Sequence, residues 1–240
     1  VEAMEYHFPR ALEDTHTNMR RVYQAFKLKT KATGKDKLNP KLTLQMEDTI
    51  SKIGKPVWDT LMGKDGVFDW EGLKFLEQTF CGNNKKEHNW DFRYIIIYDQ
   101  EQQPILATFL TLSYWKDDML ASTSLSKTIE DERKTNPYYL TSKVLSMGSL
   151  FTEGDNLFLD KKHPLKQDAL NALIQSLEEL EQRHKSKMSV LRDFKADKYF
   201  HAYFQGQGFV RVKMPDSCDI DLSDFEDIEG KYTFIESEST

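Results

Sequence analysis

Three stretches decide the fold: FRYIIIYD from Phe92 to Asp99, PILATFLTLSYW from Pro104 to Trp115, and TSKVLSMGSLF from Thr141 to Phe151. Each is dense in β-branched and aromatic residues, the types that suit a pleated, half-buried surface. The first two are separated only by Gln100–Gln103, so they predict an antiparallel hairpin. A polar connection over Lys116–Pro137 leads to the third strand, and Asn156–Asp160 is expected to extend it past a break at Glu153-Gly154-Asp155. Outward from there the pattern changes period. Leu165, Ala169, Leu170, Leu173, Ile174, Leu177 and Leu180 form one apolar stripe with charges opposite, which predicts a helix over His163–Lys185. A fourth strand at Lys187–Asp193, a short helix at Asp197–Gln207 and a fifth strand at Phe209–Met214 follow. On the N-terminal side Asp69 caps a helix reaching Phe80, with Leu73, Phe75, Leu76 and Phe80 inward. Antiparallel strands first and a crossover helix later give a mixed α/β fold, a mainly antiparallel sheet flanked by helices.

Further upstream, Leu12, Met19, Val22, Tyr23 and Phe26 recur at helical spacing over residues 12–31. Leu44, Met46, Ile50 and Ile53 predict a second short helix over 42–53, which Gly54 and Pro56 end. Residues 1–55 are thus expected to be a helical N-terminal extension and 56–240 the main domain.

The 240 residues are enough to bury a sizeable core, and 39% hydrophobic content with 12% aromatic residues argues for a folded chain. No apolar run approaches the ~18 residues of a membrane-spanning helix. The first residues, VEAME, have no basic flank and apolar stretch, and two cysteines make no disulfide framework. The expectation is a cytoplasmic protein. Charge is unevenly spread around the net −6: Met214–Thr240 holds nine acids against Lys231, while Arg20–Lys41 holds eight bases against Asp36. The basic segment is either a solvated run or a contact for an anionic surface or RNA. The six histidines show no metal-binding spacing, so no metal site is expected, and no Walker loop, GxGxxG or GxSxG is present.

The element order, together with MGSLFTEG at Met147–Gly154, VLRDF at Val190–Phe194 and GFVRVKMPD at Gly208–Asp216, resembles the acyl-CoA N-acyltransferases of the GNAT superfamily. Within them it resembles the Fem-like, peptidoglycan-biosynthesis-type branch, over residues 56–230. In that branch an acidic stretch like Ile220–Tyr232 leads into a second acyltransferase-like half. The expectation is therefore a one-lobe member or a piece of a two-lobe protein.

The resemblance implies an acyl-CoA donor, an amine acceptor and a strand, Val144–Phe151, that splays to hold the pantetheine arm. Ser146 and Gly148 are the candidates on that strand. It places the CoA phosphates at the turn Asp160–Gln167, where the family's glycine-rich loop is replaced by Lys161, Lys162, His163 and Lys166. These cations either meet an anion at a helix N-terminus or form a solvated turn with Pro164 at its first position. Glu153 is read as a general base or as a turn carboxylate facing water. Asp193 is either a group facing the acceptor or the N-cap of a turn. Tyr199 and Tyr203, four apart on one helix, include a candidate acid for the thiolate leaving group or pack against the sheet. Two rival readings stay open: a Fem-type transferase using aminoacyl-tRNA, and a non-catalytic GNAT-like module that binds a partner protein.

Overall fold

The computed structural model describes residues 38–65, 68–119, 121–152, 154–192 and 198–210. The chain divides into two units, Val1–Phe200 and His201–Thr240. Among the described residues of the first unit the centre is a sheet of six strands: β1 (Thr43–Glu47), β2 (Asp91–Tyr98), β3 (Pro104–Lys116), β4 (Thr141–Met147), β5 (Leu157–Leu159) and β6 (Met188–Leu191). The order is β1-β2-β3-β4-β6, with β5 beside β3. Every pairing is antiparallel except that of β4 with β6. The helices are α1 (Lys55–Met62), α2 (Trp70–Phe80), α3 (Thr123–Arg133), α4 (Lys166–His184) and α5 (Lys198–Gly206). The expected mixed α/β class is therefore what the chain adopts, and the hairpin of β2 and β3 forms where its residues predict it.

Alternation along β2 and β3 sorts two cores. Phe92, Tyr94, Ile96, Ala107 and Phe109 join Trp58, Met62, Leu73 and Leu76 in one cluster under α1 and α2. Residues such as Leu106 and Leu110 face the other layer, where α4 contributes Ala169, Leu170, Leu173, Ile174, Leu177 and Leu180. This two-sided burial leaves nine consecutive buried residues in β3, the polar Thr108, Thr111 and Ser113 among them.

Three expectations are corrected. Residues 42–53 are not a helix: β1 pairs with β2, and Ile50–Lys52 is a single 3-10 turn. The buried Glu77 carboxylate holds that turn from α2, accepting the Ile50 N–H at 2.5 Å and the Thr49 hydroxyl at 2.8 Å. Gly54 and Pro56 begin a helix instead of ending one, Gly54 being the N-cap of α1 and Pro56 lying in its first turn. The connection before β4 contains α3, capped by the Ser122 hydroxyl on the Leu125 N–H. The prediction for 12–31 lies outside the described residues, as does most of the predicted strand over 209–214.

Candidate active site

Parallel β4 and β6 run side by side until Met147 and Leu191, and there they part. The chain after β4 turns at Gly148, whose N–H donates to the Phe109 carbonyl at 3.0 Å and whose carbonyl accepts the Thr111 hydroxyl at 2.7 Å. A closed turn follows. The Ser149 N–H donates to Thr152 Oγ1, and the Phe151 N–H to Ser149 Oγ. Beyond it β5 takes up the edge of β3 that β4 has left, at Thr108, Ala107 and Leu106. A fork thus opens between β5 and the end of β6, at the carboxyl ends of parallel strands where ligands of α/β sheets collect.

The register fixes what β5 offers to that fork. The Asp160 N–H donates to the Ile105 carbonyl, so Asp160 and Phe158 turn their backbone groups toward β3. The alternation of an antiparallel ladder then turns those of Leu157 and Leu159 into the fork. Among the described strands β5 pairs with β3 alone. The expected splaying strand is corrected accordingly. Val144–Ser146 is paired on both sides by β3 and β6, and the open edge belongs to β5. Ser146 is fully buried, its hydroxyl donating to the Met147 carbonyl at 3.3 Å. Both backbone groups of Gly148 are likewise committed to β3.

The other end of the fork is the turn into α4. Asp160 accepts the Lys162 N–H at 2.9 Å. The His163 ring replaces a conventional cap: its Nδ1 accepts the Leu165 N–H at 3.1 Å, which requires the proton on Nε2, 3.2 Å from Asp99 Oδ2. Both ring nitrogens are therefore spent within the turn. Asp99 anchors it from the β2–β3 hairpin. The Gln103 N–H holds the Asp99 carboxyl below the usual carboxylate range against the opposing effect of burial, with His163 and the Glu101 N–H adding to it. Lys161 and Lys162 are exposed, and Lys166 donates to the Lys161 carbonyl at 2.6 Å. The Lys161 ammonium lies 5.0 Å from the Phe200 ring centre and that of Lys166 5.9 Å from the Tyr199 ring. The Tyr199 hydroxyl donates to Gln167 Oε1 at 3.3 Å. The sequence-predicted cations and Tyr199 thus come together at the start of α4. Tyr203 belongs to the second unit, edge-on to Phe204. Glu153 and Asp193 lie outside the described residues.

Two residues at the fork were not singled out as ligand-facing groups by the sequence. Asn156 is 1% exposed, and its Nδ2 donates to the Arg192 carbonyl at 3.4 Å. Arg192 in turn donates from its guanidinium to the Ser149 carbonyl, so it reaches from the end of β6 to the chain beyond β4. The signal in the sequence was slight: an asparagine just before a short apolar strand, and an arginine just after one.

No family model and no curated protein matches the chain. Solved structures similar to it include an aminoglycoside 6'-N-acetyltransferase from Acinetobacter baumannii, 13% identical, covering 75% of this chain and 98% of that one with a TM-score of 0.42. Another is an aminoglycoside N-acetyltransferase in complex with CoA, at 9% identity, 75% and 94% coverage and a TM-score of 0.43. A third is a ribosomal-protein-alanine N-acetyltransferase from Brucella melitensis biovar Abortus 2308, at 6%, 75%, 99% and 0.40. All three are N-acetyltransferases.

Proposed function

We propose that this chain is a GNAT-type N-acyltransferase that moves an acyl group from acyl-CoA to an amine. The observation that carries the reading is the fork: an unpaired β5 edge running from the parting of β4 and β6 to the start of a 19-residue helix flanked by lysines. An extended arm with amides fits along Leu157 and Leu159 as an added strand. The phosphates fall at the α4 N-terminus, where the helix dipole favours anions. The side chains of Lys161 and Lys166 supply the charge that no glycine-rich loop provides here. The thioester then lies at the closed end of the fork.

In the reaction the acceptor nitrogen attacks the thioester carbonyl carbon, the C–N bond forms and the C–S bond breaks. The amine proton passes to a base and the thiolate leaves to be protonated. Glu153 and Asp193 are the proposed bases, as the family resemblance implies. Tyr199 bonds to Gln167 at the phosphate end, so this reading gives it a part in donor binding. Among the described residues no helix is long and apolar enough to cross a membrane. The sequence resemblance to the Fem-like branch rests partly on residues 193–194 and 211–216, outside the described ones.

Calorimetric titration with CoA and acetyl-CoA tests the donor class, and saturable binding is the expected result. The double variant Lys161→Ala, Lys166→Ala is expected to lose about 10- to 100-fold in CoA affinity with its unfolding midpoint little changed, the loss of one charge-assisted contact or more. Equal affinity in the variant would remove the lysine turn from the site. Once an amine substrate is found, Glu153→Gln or Asp193→Asn is expected to lower kcat about 100-fold while donor affinity holds. If neither substitution changes kcat, proton removal belongs to another group.

A further inference from the structure

The Asn156 side chain lies at the closed end of the fork, between the turn after β4 and the end of β6. Three buried side-chain atoms among the described residues have no hydrogen-bond partner: Tyr94 Oη, Ser186 Oγ and Asn156 Oδ1. Asn156 is the one at the fork, and the structure has made room for it. A Cβ on Gly148 would stand 2.5 Å from Asn156 Oδ1 and 2.6 Å from its Cγ. The chain adopts φ +79° at Gly148 and forgoes a side chain there to seat the amide. Asn156 is held elsewhere through its backbone, its carbonyl accepting the Thr108 hydroxyl at 2.6 Å. A buried carbonyl oxygen without a donor is unfavourable, so a site built around one is completed by a donor that arrives with a ligand.

We propose that Asn156 Oδ1 receives an N–H of the donor's pantetheine arm, namely the amide nearest the thioester. The inference rests on the acyl-CoA reading above and assigns a residue to it. Register is the reason for choosing this amide. Outward-facing backbone groups on β5 sit at Leu157 and Leu159, two residues apart, and Asn156 stands immediately on the fork's closed side of them. An arm pairing with those positions brings its last amide to the residue that precedes the strand. Arg192 lies at the same closed end, its guanidinium on the Ser149 carbonyl. The side-chain oxygen then does for the last amide what the strand backbone does for the earlier one.

The test uses the full chain and its variants Asn156→Leu and Asn156→Ala, titrated with CoA, acetyl-CoA and free pantetheine, with thermal unfolding of each ligand-free protein. At least one variant is expected to unfold at or above the wild-type temperature, because the orphaned oxygen is gone. That variant is expected to bind all three ligands about 10-fold more weakly, by the same factor for phosphate-free pantetheine as for CoA. Wild-type affinity in a folded variant overturns the assignment, as does a lower unfolding temperature in both variants with binding unchanged. A variant that binds the donor normally but has a raised KM for the amine would move Asn156 to the acceptor side. If the wild type binds none of the three, the acyl-CoA reading itself falls and the assignment falls with it.

Discussion

Replacing Gly148 by valine is expected to cost about 4 kcal/mol of stability, from the sum of a strained backbone and an overfilled site. The φ of +79° lies where a β-branched residue is most strained. It cannot relax cheaply, since the Gly148 N–H is on the Phe109 carbonyl and its carbonyl takes the Thr111 hydroxyl. A turn to negative φ would break bonds to β3 on the buried side of the sheet. The new side chain would also meet a buried amide, and not the movable end of a surface residue. Urea unfolding measures the loss. The milder Gly148→Ala separates the two causes: combined with Asn156→Ala it is expected to recover the clash component, leaving the backbone strain of about 1–2 kcal/mol. Because Gly148 shapes the fork, donor affinity is expected to fall with stability. A valine variant within about 1 kcal/mol of wild type would mean that Asn156 moves freely, and it would weaken the case for a site built around that side chain.

The second large effect lies away from the fork. Arg133, at the end of α3, is 6% exposed and donates to Asp118 and Glu130 at 2.6 Å each and to the carbonyls of Tyr139 and Leu140. Asp118 is 8% exposed. Arg133→Ala is expected to cost about 3–5 kcal/mol at neutral pH, because it leaves the Asp118 carboxylate buried without its cation. The acid dependence gives a separate reading. Burial alone would raise the Asp118 carboxyl, but the Arg133 hydrogen bond and charge overcome it and hold the group below its ordinary value. The pair therefore stabilises the wild type above the unfolded carboxyl's pKa of about 4 and ceases to do so as pH falls through the lower folded value. Without Arg133 that stabilisation is absent, so the deficit of the variant is expected to shrink as pH falls below about 4 through the lower folded value, followed by urea unfolding at each pH. A pH-independent deficit would mean that the two carbonyl contacts, and not the ion pair, carry the effect. Replacing both partners, Arg133→Met with Asp118→Leu, is expected to restore most of the stability.

Much of the sheet was legible because its signals are local. FRYIIIYD and PILATFLTLSYW specify a hairpin through side-chain type and a four-residue spacing. The stripe from Leu165 to Leu180 specifies a helix by period, and Asp69 caps α2 with its side chain on the Gly72 N–H. The lysines of the α4 turn were visible as a cluster, and their shared location at a helix start followed from Pro164 and the stripe after it.

Tertiary contacts decided the rest. Leu44 and Met46 alternate with Gln45 and Glu47 too briefly to separate strand from helix. Pairing with β2, and Glu77 gripping Ile50 and Thr49 from 27 and 28 residues away, settled the matter. The same holds at the site. Nothing near Met147 in sequence says that β4 would be sealed by β6 on its far side, which moves the open edge to β5. His163 reads as one more cation until Asp99, 64 residues earlier, fixes its Nε2 proton and turns Nδ1 into a helix cap. Asn156 gains its meaning only when the chain folds Gly148 against it. Periodicity and propensity act over a few residues and so determined the elements. Strand partners, buried acceptors and the room left by a missing Cβ depend on groups distant in sequence, and only the fold brings them together.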